Sequence, residues 1–138
     1  MKILLLFLPI LFYSNFLYSN ENQPFSRGKL LYEQKNFSQA KLEFEKSIVL
    51  DPKKTNSYIY LSKIYSESKN TKEEKKNLQT AVLLEPRNEE ALYLLTQVNI
   101  TQGDFKSLGV NYITLSKNCS KLCDKLILIK NSIDKFKK

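Results

Sequence analysis

The sequence predicts an all-α protein: a stack of about three helix–turn–helix units with a C-terminal capping helix. Three observations predict it. The phrase SIVLDPKK, residues 47–54, returns as AVLLEPRN, residues 81–88. Around both phrases apolar residues recur three and four apart, the spacing of one helix face. The 138 residues include only 3 Gly and 4 Pro with 42% apolar content, which suits a helical globular chain and not a disordered one.

The elements follow in order. Residues 1–19 stand apart: one charge, Lys2, then an apolar run from Ile3 to Tyr13. A short positive start and an apolar core of this length predict a secretory signal cleaved after Ser19, or retained as an uncleaved anchor. The first unit spans 22–54. It holds a helix through GKLLYEQKN and a second with Phe37, Ala40, Leu42, Phe44 and Ile48 in helical register. The second unit spans 55–88, with Tyr58, Leu61, Ile64 and Tyr65 on its first helix. Pro52 and Pro86 end the second helix of each unit, because proline lacks the N–H donor and clashes with the preceding turn. The third unit spans 89–118, opening on EEALYLLTQVNITQGDF. A basic amphipathic helix spans 119–138, with Leu122, Leu126, Ile129, Ile133 and Phe136 along one stripe. Helices this short are marginal alone, so each pair needs a neighbour, and the last helix covers the open end of the stack.

A period of about 34 residues with this pattern resembles the tetratricopeptide repeat. In the first unit Gly28, Phe37, Ala40, Phe44 and Pro52 occupy the family's small, aromatic, small, large and closing-proline positions. In the second, Tyr58, Leu61, Ser62, Tyr65, Leu78, Ala81 and Pro86 do so, with Thr71 and Glu74 departing from the usual aromatic and Ala. In the third, Leu92, Leu95, Thr96, the GDF of Gly103–Phe105 and Tyr112 fit, and the closing proline is absent. The resemblance implies a right-handed superhelix that binds a segment of another protein in a concave groove lined by the first helix of each unit. On this chain those positions are Phe25, Lys29 and Tyr32, then Asn56, Ile59, Tyr60 and Lys63, then Tyr93, Gln97 and Ile100. The family version that clamps chaperone C-termini needs a set of Lys, Arg and Asn. Here only Lys29 fits, and Phe25, Tyr60, Glu90 and Leu94 do not.

The chemistry-bearing residues argue against an enzyme. There is no His, no Gly-rich phosphate loop and no nucleophile signature. No cofactor and no metal site is expected. The paired acids Glu43 and Glu45, and Glu73 and Glu74, read as solvated faces, and Glu89 and Glu90, just after Asn88, read as favouring a helix start and nothing more. Cys119 and Cys123 are an even pair, and in an exported chain they are disulfide candidates at the turn into the last helix. Residues 117–138 carry seven Lys against two Asp, including Lys130, Lys135, Lys137 and Lys138. That basic patch reads as a solvated face. The alternative is an envelope-assembly accessory meeting an anionic membrane surface, at about 1 kcal/mol per Lys near the surface. No nucleic-acid partner is expected, since no aromatic platform accompanies the charge. The functional expectation is an exported, non-enzymatic adaptor or scaffold of a bacterial periplasm or cell envelope.

Overall fold

The computed structural model describes residues 23–136, without the side chain of Phe136; the signal segment at 1–19, Lys137 and Lys138 lie outside the described residues. Among the described residues seven helices follow one another with no strand. They are α1 (Gln23–Glu33), α2 (Phe37–Leu50), α3 (Thr55–Glu67), α4 (Thr71–Leu84), α5 (Glu89–Gln102), α6 (Phe105–Asn118) and α7 (Lys125–Phe136). The helices pack as antiparallel neighbours in chain order: α1 with α2, α3 with α4, α5 with α6. Each pair also touches the next. The fold is an all-α stack of helical repeats.

The repeat interval is written most plainly in the turns. Inside each unit the first helix ends on a left-handed residue: Lys35 at φ 59°, Lys69 at φ 55° and Gly103 at φ 67°. The next residue, Asn36, Asn70 or Asp104, sends its N–H back 2.9 Å to the carbonyl of Leu31, Tyr65 or Asn99. That backbone bond closes a helix end whose carbonyls have no partner of their own. The side chain of the same residue then caps the following helix, accepting from the N–H of Gln39, Glu73 or Ser107. Between units Pro52 and Pro86 occupy equivalent corners. The N–H of Asp51 and of Glu85 each donates 2.9 Å to the carbonyl of Ser47 and of Ala81.

Small residues decide how close the helices lie. A Cβ added to Gly28 would stand 2.9 Å from the Cε1 of Phe44, which is fully buried. At the same register the next units place Ser62 and Thr96, both buried. Each turns its hydroxyl back onto its own helix, 2.7 Å from the carbonyl of Ile59 and of Leu92. Between units the buried hydroxyls of Ser47 and Ser57 meet at 2.9 Å. One unit on, Ala81 and Ala91 stand at the same two positions, both fully buried. The core divides into one cluster round Ala40, Phe44, Leu61 and Ile64 and three further clusters, round Ile59, Leu78 with Leu95, and Leu92 with Leu108, Leu115 and Ile129, which share the partly buried Val82.

The last helix keeps the register. Leu126 and Ile129 stand one repeat interval after Leu92 and Leu95, and Ile129 is buried against Leu92, Leu108 and Leu115. α7 is therefore the first helix of a fourth unit. At the small position it carries Lys130, which is exposed, so no further helix can approach there as α2 approaches Gly28. Leu122 lies in the turn before the helix, so the apolar stripe of α7 itself is Leu126, Ile129 and Ile133.

Two expectations from periodicity fail on α2. Leu42 is 55% exposed, because it lies about 200° round the helix from the buried Ala40. Glu43, expected in solvent, is only 8% exposed and holds Lys46 at 2.8 Å. It sits three residues after Ala40, on the inward face. One core residue departs from its equivalents. Asn99 is fully buried, and neither its Oδ1 nor its Nδ2 has a hydrogen-bond partner among the described residues. The same register elsewhere holds Leu31, Tyr65 and Ile133.

This packing can be checked by substitution at two places. Gly28→Val should destabilise by about 1–3 kcal/mol, the cost of overpacking a full core, while Gly109→Ala, with nothing within 4 Å of the added carbon, should stabilise by up to about 1 kcal/mol. Equal effects in chemical denaturation would refute the close approach. Asn99→Leu should stabilise by about 1–3 kcal/mol, since it removes an unpaired buried amide; a lower unfolding midpoint would show that the amide is satisfied.

Candidate functional site

The first helices α1, α3 and α5 lie side by side, so residues at one register form a row across the stack. Phe25, Ile59, Tyr93 and Ile127 make one such row, and Lys29, Lys63 and Gln97 another. The rows bring aromatic rings together at the α1–α3 end. Tyr60 stacks on Phe44 with centroids 4.9 Å apart and meets Phe25 and Tyr32 edge-on at 5.8 Å and 5.2 Å. Tyr32 also packs on Phe37 at 5.4 Å. Such tilted and edge contacts match the quadrupoles of the rings and fix their orientation. Burial raises the hydroxyl pKa of Tyr32 and of Tyr60, against the pull of Lys63 on the first and Lys29 on the second, so both remain neutral donors.

The cations of this face are already engaged. Lys63 Nζ lies 2.6 Å from a Glu90 carboxylate oxygen and 4.7 Å from the centre of the Tyr60 ring. Lys54 stands over Phe25 at 5.4 Å, and the exposed Lys29 lies 3.9 Å from Glu33. A surface of fixed rings and matched charges offers apolar area and directed hydrogen bonds more than net charge.

The expected groove residues divide. Lys29 and Asn56 are exposed; Phe25, Tyr32, Tyr60, Lys63, Tyr93, Gln97 and Ile100 are partly exposed. Ile59 is a correction. It is 2% exposed and packed with Ala81 and Ala91. Where two small residues let α4 and α5 close together, the branched side chain above them is absorbed into the core. Ile100 and Tyr93 also pack against the cluster round Leu92 and Leu108.

At the other end the face is shaped by a loop that composition does not point to. Cys119 and Cys123 are joined in a disulfide with Cα atoms 5.3 Å apart. Inside that short ring the N–H groups of Ser120, Lys121 and Leu122 all donate to the carboxylate of Glu89 on the first turn of α5. The Ser120 hydroxyl adds a bond of 3.2 Å. Asn88, which caps α5, Glu90, Tyr93 and Leu94 of α5, and Ser120, Lys121 and Leu122 of the loop line a cleft of about 580 Å³. From sequence, Glu89 and Glu90 serve a helix start alone. Instead one anchors this loop and the other ties α5 to Lys63 of α3. Only contacts between segments distant in sequence reveal these roles. The sulfurs and the Glu89 carboxylate lie within 4.8 Å of one another, a metal-like grouping. With the sulfurs bonded to each other and the carboxylate taken up by amides, it presents no thiolate to a metal. Exposed Ile127 and Leu128 follow Tyr93 and Leu94 by one repeat interval and extend the rows onto α7; that interval was the signal that could have found them.

Lys130 and Lys135 of the basic patch are exposed. Among the described residues no helix is long and apolar enough to cross a membrane.

The amide of Leu122 is the largest cause holding the Glu89 carboxyl below its ordinary 4.5; desolvation opposes it, and the Ser120 and Lys121 amides reinforce it. A group with a depressed folded pKa contributes its stability fully above its ordinary 4.5 and loses it as pH falls through the lower folded value. The seating of α7 should therefore weaken below pH 4.5, measured as lower protection factors in residues 120–136, with amide exchange normalised to the unstructured rate at each pH. In Glu89→Gln that loss should already be present at neutral pH and change little on acidification; an unchanged acid response in the variant would refute the anchor.

Neither a family model nor a curated protein sequence matches the chain. Solved structures do match in shape. The "TPR2B-domain:pHsp70-complex of yeast Sti1" superposes with a TM-score of 0.75 at 10% identity, over 83% of this chain and 96% of that one. The Yersinia enterocolitica type III secretion chaperone SycD, in complex with a peptide of the translocator YopD, gives 0.76 at 10% identity, over 85% and 94%. The Sgt2 TPR domain from Aspergillus fumigatus gives 0.73 at 16% identity, over 86% and 82%. With its repeated turns, small-residue contacts and stacked helix pairs, the chain has the tetratricopeptide-repeat fold.

Proposed function

We propose that this protein is a non-enzymatic adaptor that holds a segment of a partner protein across the face made by α1, α3 and α5. One observation carries the reading: the side chains of Tyr32, Tyr60, Tyr93, Asn56, Lys63 and Gln97 stay partly or fully open on α1, α3 and α5, while the other face of the same helices is buried. Rigid aromatic rings give contact area at a low cost in side-chain entropy, and the tyrosine hydroxyls add polar groups at the ring tips. Two of the similar folds, those of Sti1 and SycD, were solved with a bound partner, a pHsp70 complex and a YopD peptide. Similarity at 10% identity concerns shape and does not carry either partner over.

The site of action we infer is the cell envelope after export. Support comes from Lys2 and the apolar run Ile3–Tyr13, and from a disulfide, which persists in an oxidising compartment.

A photo-crosslinking residue placed at Asn56 or Gln97 in cells should capture one discrete partner. The same residue at Val49 or Leu83, which are 81% and 80% exposed on second helices, should not. Equal yields of the same adduct at all four positions would sink the groove.

A further inference from the structure

The loop between α6 and α7 does more than connect. Three successive N–H groups aimed at one centre make a small anion receptor. Here the receptor lies wholly inside the ring closed by Cys119 and Cys123, and the chain's own Glu89 fills it. Closing the ring restricts the loop conformations in which those amides would scatter. Cys123 is exposed, whereas Cys119 is partly buried against the cluster of Leu92, Leu115 and Ile129. The same amide-bearing residues wall the cleft beside Tyr93 and Leu94.

We propose that Cys119–Cys123 is a thiol–disulfide exchange site, a reducible latch that sets the shape of the groove's C-terminal wall. Its substrate is a protein or small-molecule dithiol. One thiolate of the dithiol attacks the exposed Cys123 sulfur and forms a mixed disulfide, and Cys119 leaves as a thiolate that takes up a proton. The second thiol of the reductant, deprotonated, displaces Cys123, which is protonated in turn. Two electrons have passed: the dithiol is now a disulfide and the protein holds two thiols. While ionised, the freed Cys119 sulfur stands beside the Glu89 carboxylate, and like charges at that range repel. The ring opens, the three amides leave the carboxylate, and α7 loses the turn that seats it over Leu115. The effect on partner binding rests on the groove reading; the latch itself does not.

The test therefore needs no partner. Amide exchange is followed by mass spectrometry on the protein oxidised, reduced with excess dithiothreitol, and as the Cys119→Ser, Cys123→Ser double variant, with thiols counted by alkylation. Residues 119–136 should exchange roughly tenfold faster or more in both thiol-type forms, while α1–α4 keep their rates. The backbone resonances of Glu90, Tyr93 and Leu94 should shift, and reoxidation should restore the original spectrum in the wild-type chain alone. The latch is overturned if α7 exchanges at the same rate in all three forms, or if alkylation shows the bond intact under dithiothreitol. It is equally overturned if protection is lost through α1–α6 as well, which would mark a brace for the whole stack.

Discussion

A hairpin of two short helices leaves an apolar face that it cannot cover itself, and everything in this chain follows from how closely the next helix can come. The approach is set by the smallest side chains. At Gly28 the ring of Phe44 lies where a methyl group would stand. At Ser47 and Ser57 two hydroxyls satisfy each other, and one unit later two alanines do the same job without polar atoms. With the spacing so fixed, the larger residues have one arrangement open to them: those on the inner side interlock, and those on the opposite side of α1, α3 and α5 form rows. The exposed rows are a by-product of the packing before they are a surface for anything else.

Much of this was legible in the residues. The duplicated corner at Pro52 and Pro86 and the small positions at Gly28, Ser62 and Thr96 are local features, and local features survive in text. The turns were equally legible in principle. Lys35, Lys69 and Gly103, followed by Asn36, Asn70 and Asp104, repeat at the same interval, but lysine conceals a left-handed residue that glycine would announce. What could not be read was the company each polar side chain keeps across the stack. Nothing near Glu89 in sequence points to the amides of Ser120, Lys121 and Leu122, and nothing near Glu90 points to Lys63. Ile59 escapes the sequence reading for the same reason. Its register places it on the open face, and only the nearness of Ala81 and Ala91 turns it inward.

The two ends of the rows differ in kind. Near α1 the surface is made of side chains locked by one another: Tyr60 between Phe44, Phe25 and Tyr32, with Lys63 laid over it and held by Glu90. Near α7 it is made of backbone, a short loop gathered round a carboxylate. The rings of the first are held by dispersion and ring geometry, which salt and pH barely affect. The second depends on a charge and a covalent bond, both of which solution conditions can change. A segment lying along the face would thus meet a stiff end and a conditional one.

The exposed Lys130, standing where earlier units have a glycine, a serine and a threonine, has a consequence for how such a protein changes in length. A helix packed at that position of α7 would stand further off than α2 does from Gly28, whereas the seams inside the array are built for close contact. Residues 55–88 present Ser57 to the block before and Ala81 to the block after, and a tandem copy would join Ala81 to a second Ser57, two small groups as compatible as those already in contact. Internal duplication is therefore an open route to a longer face, by evolution or by engineering.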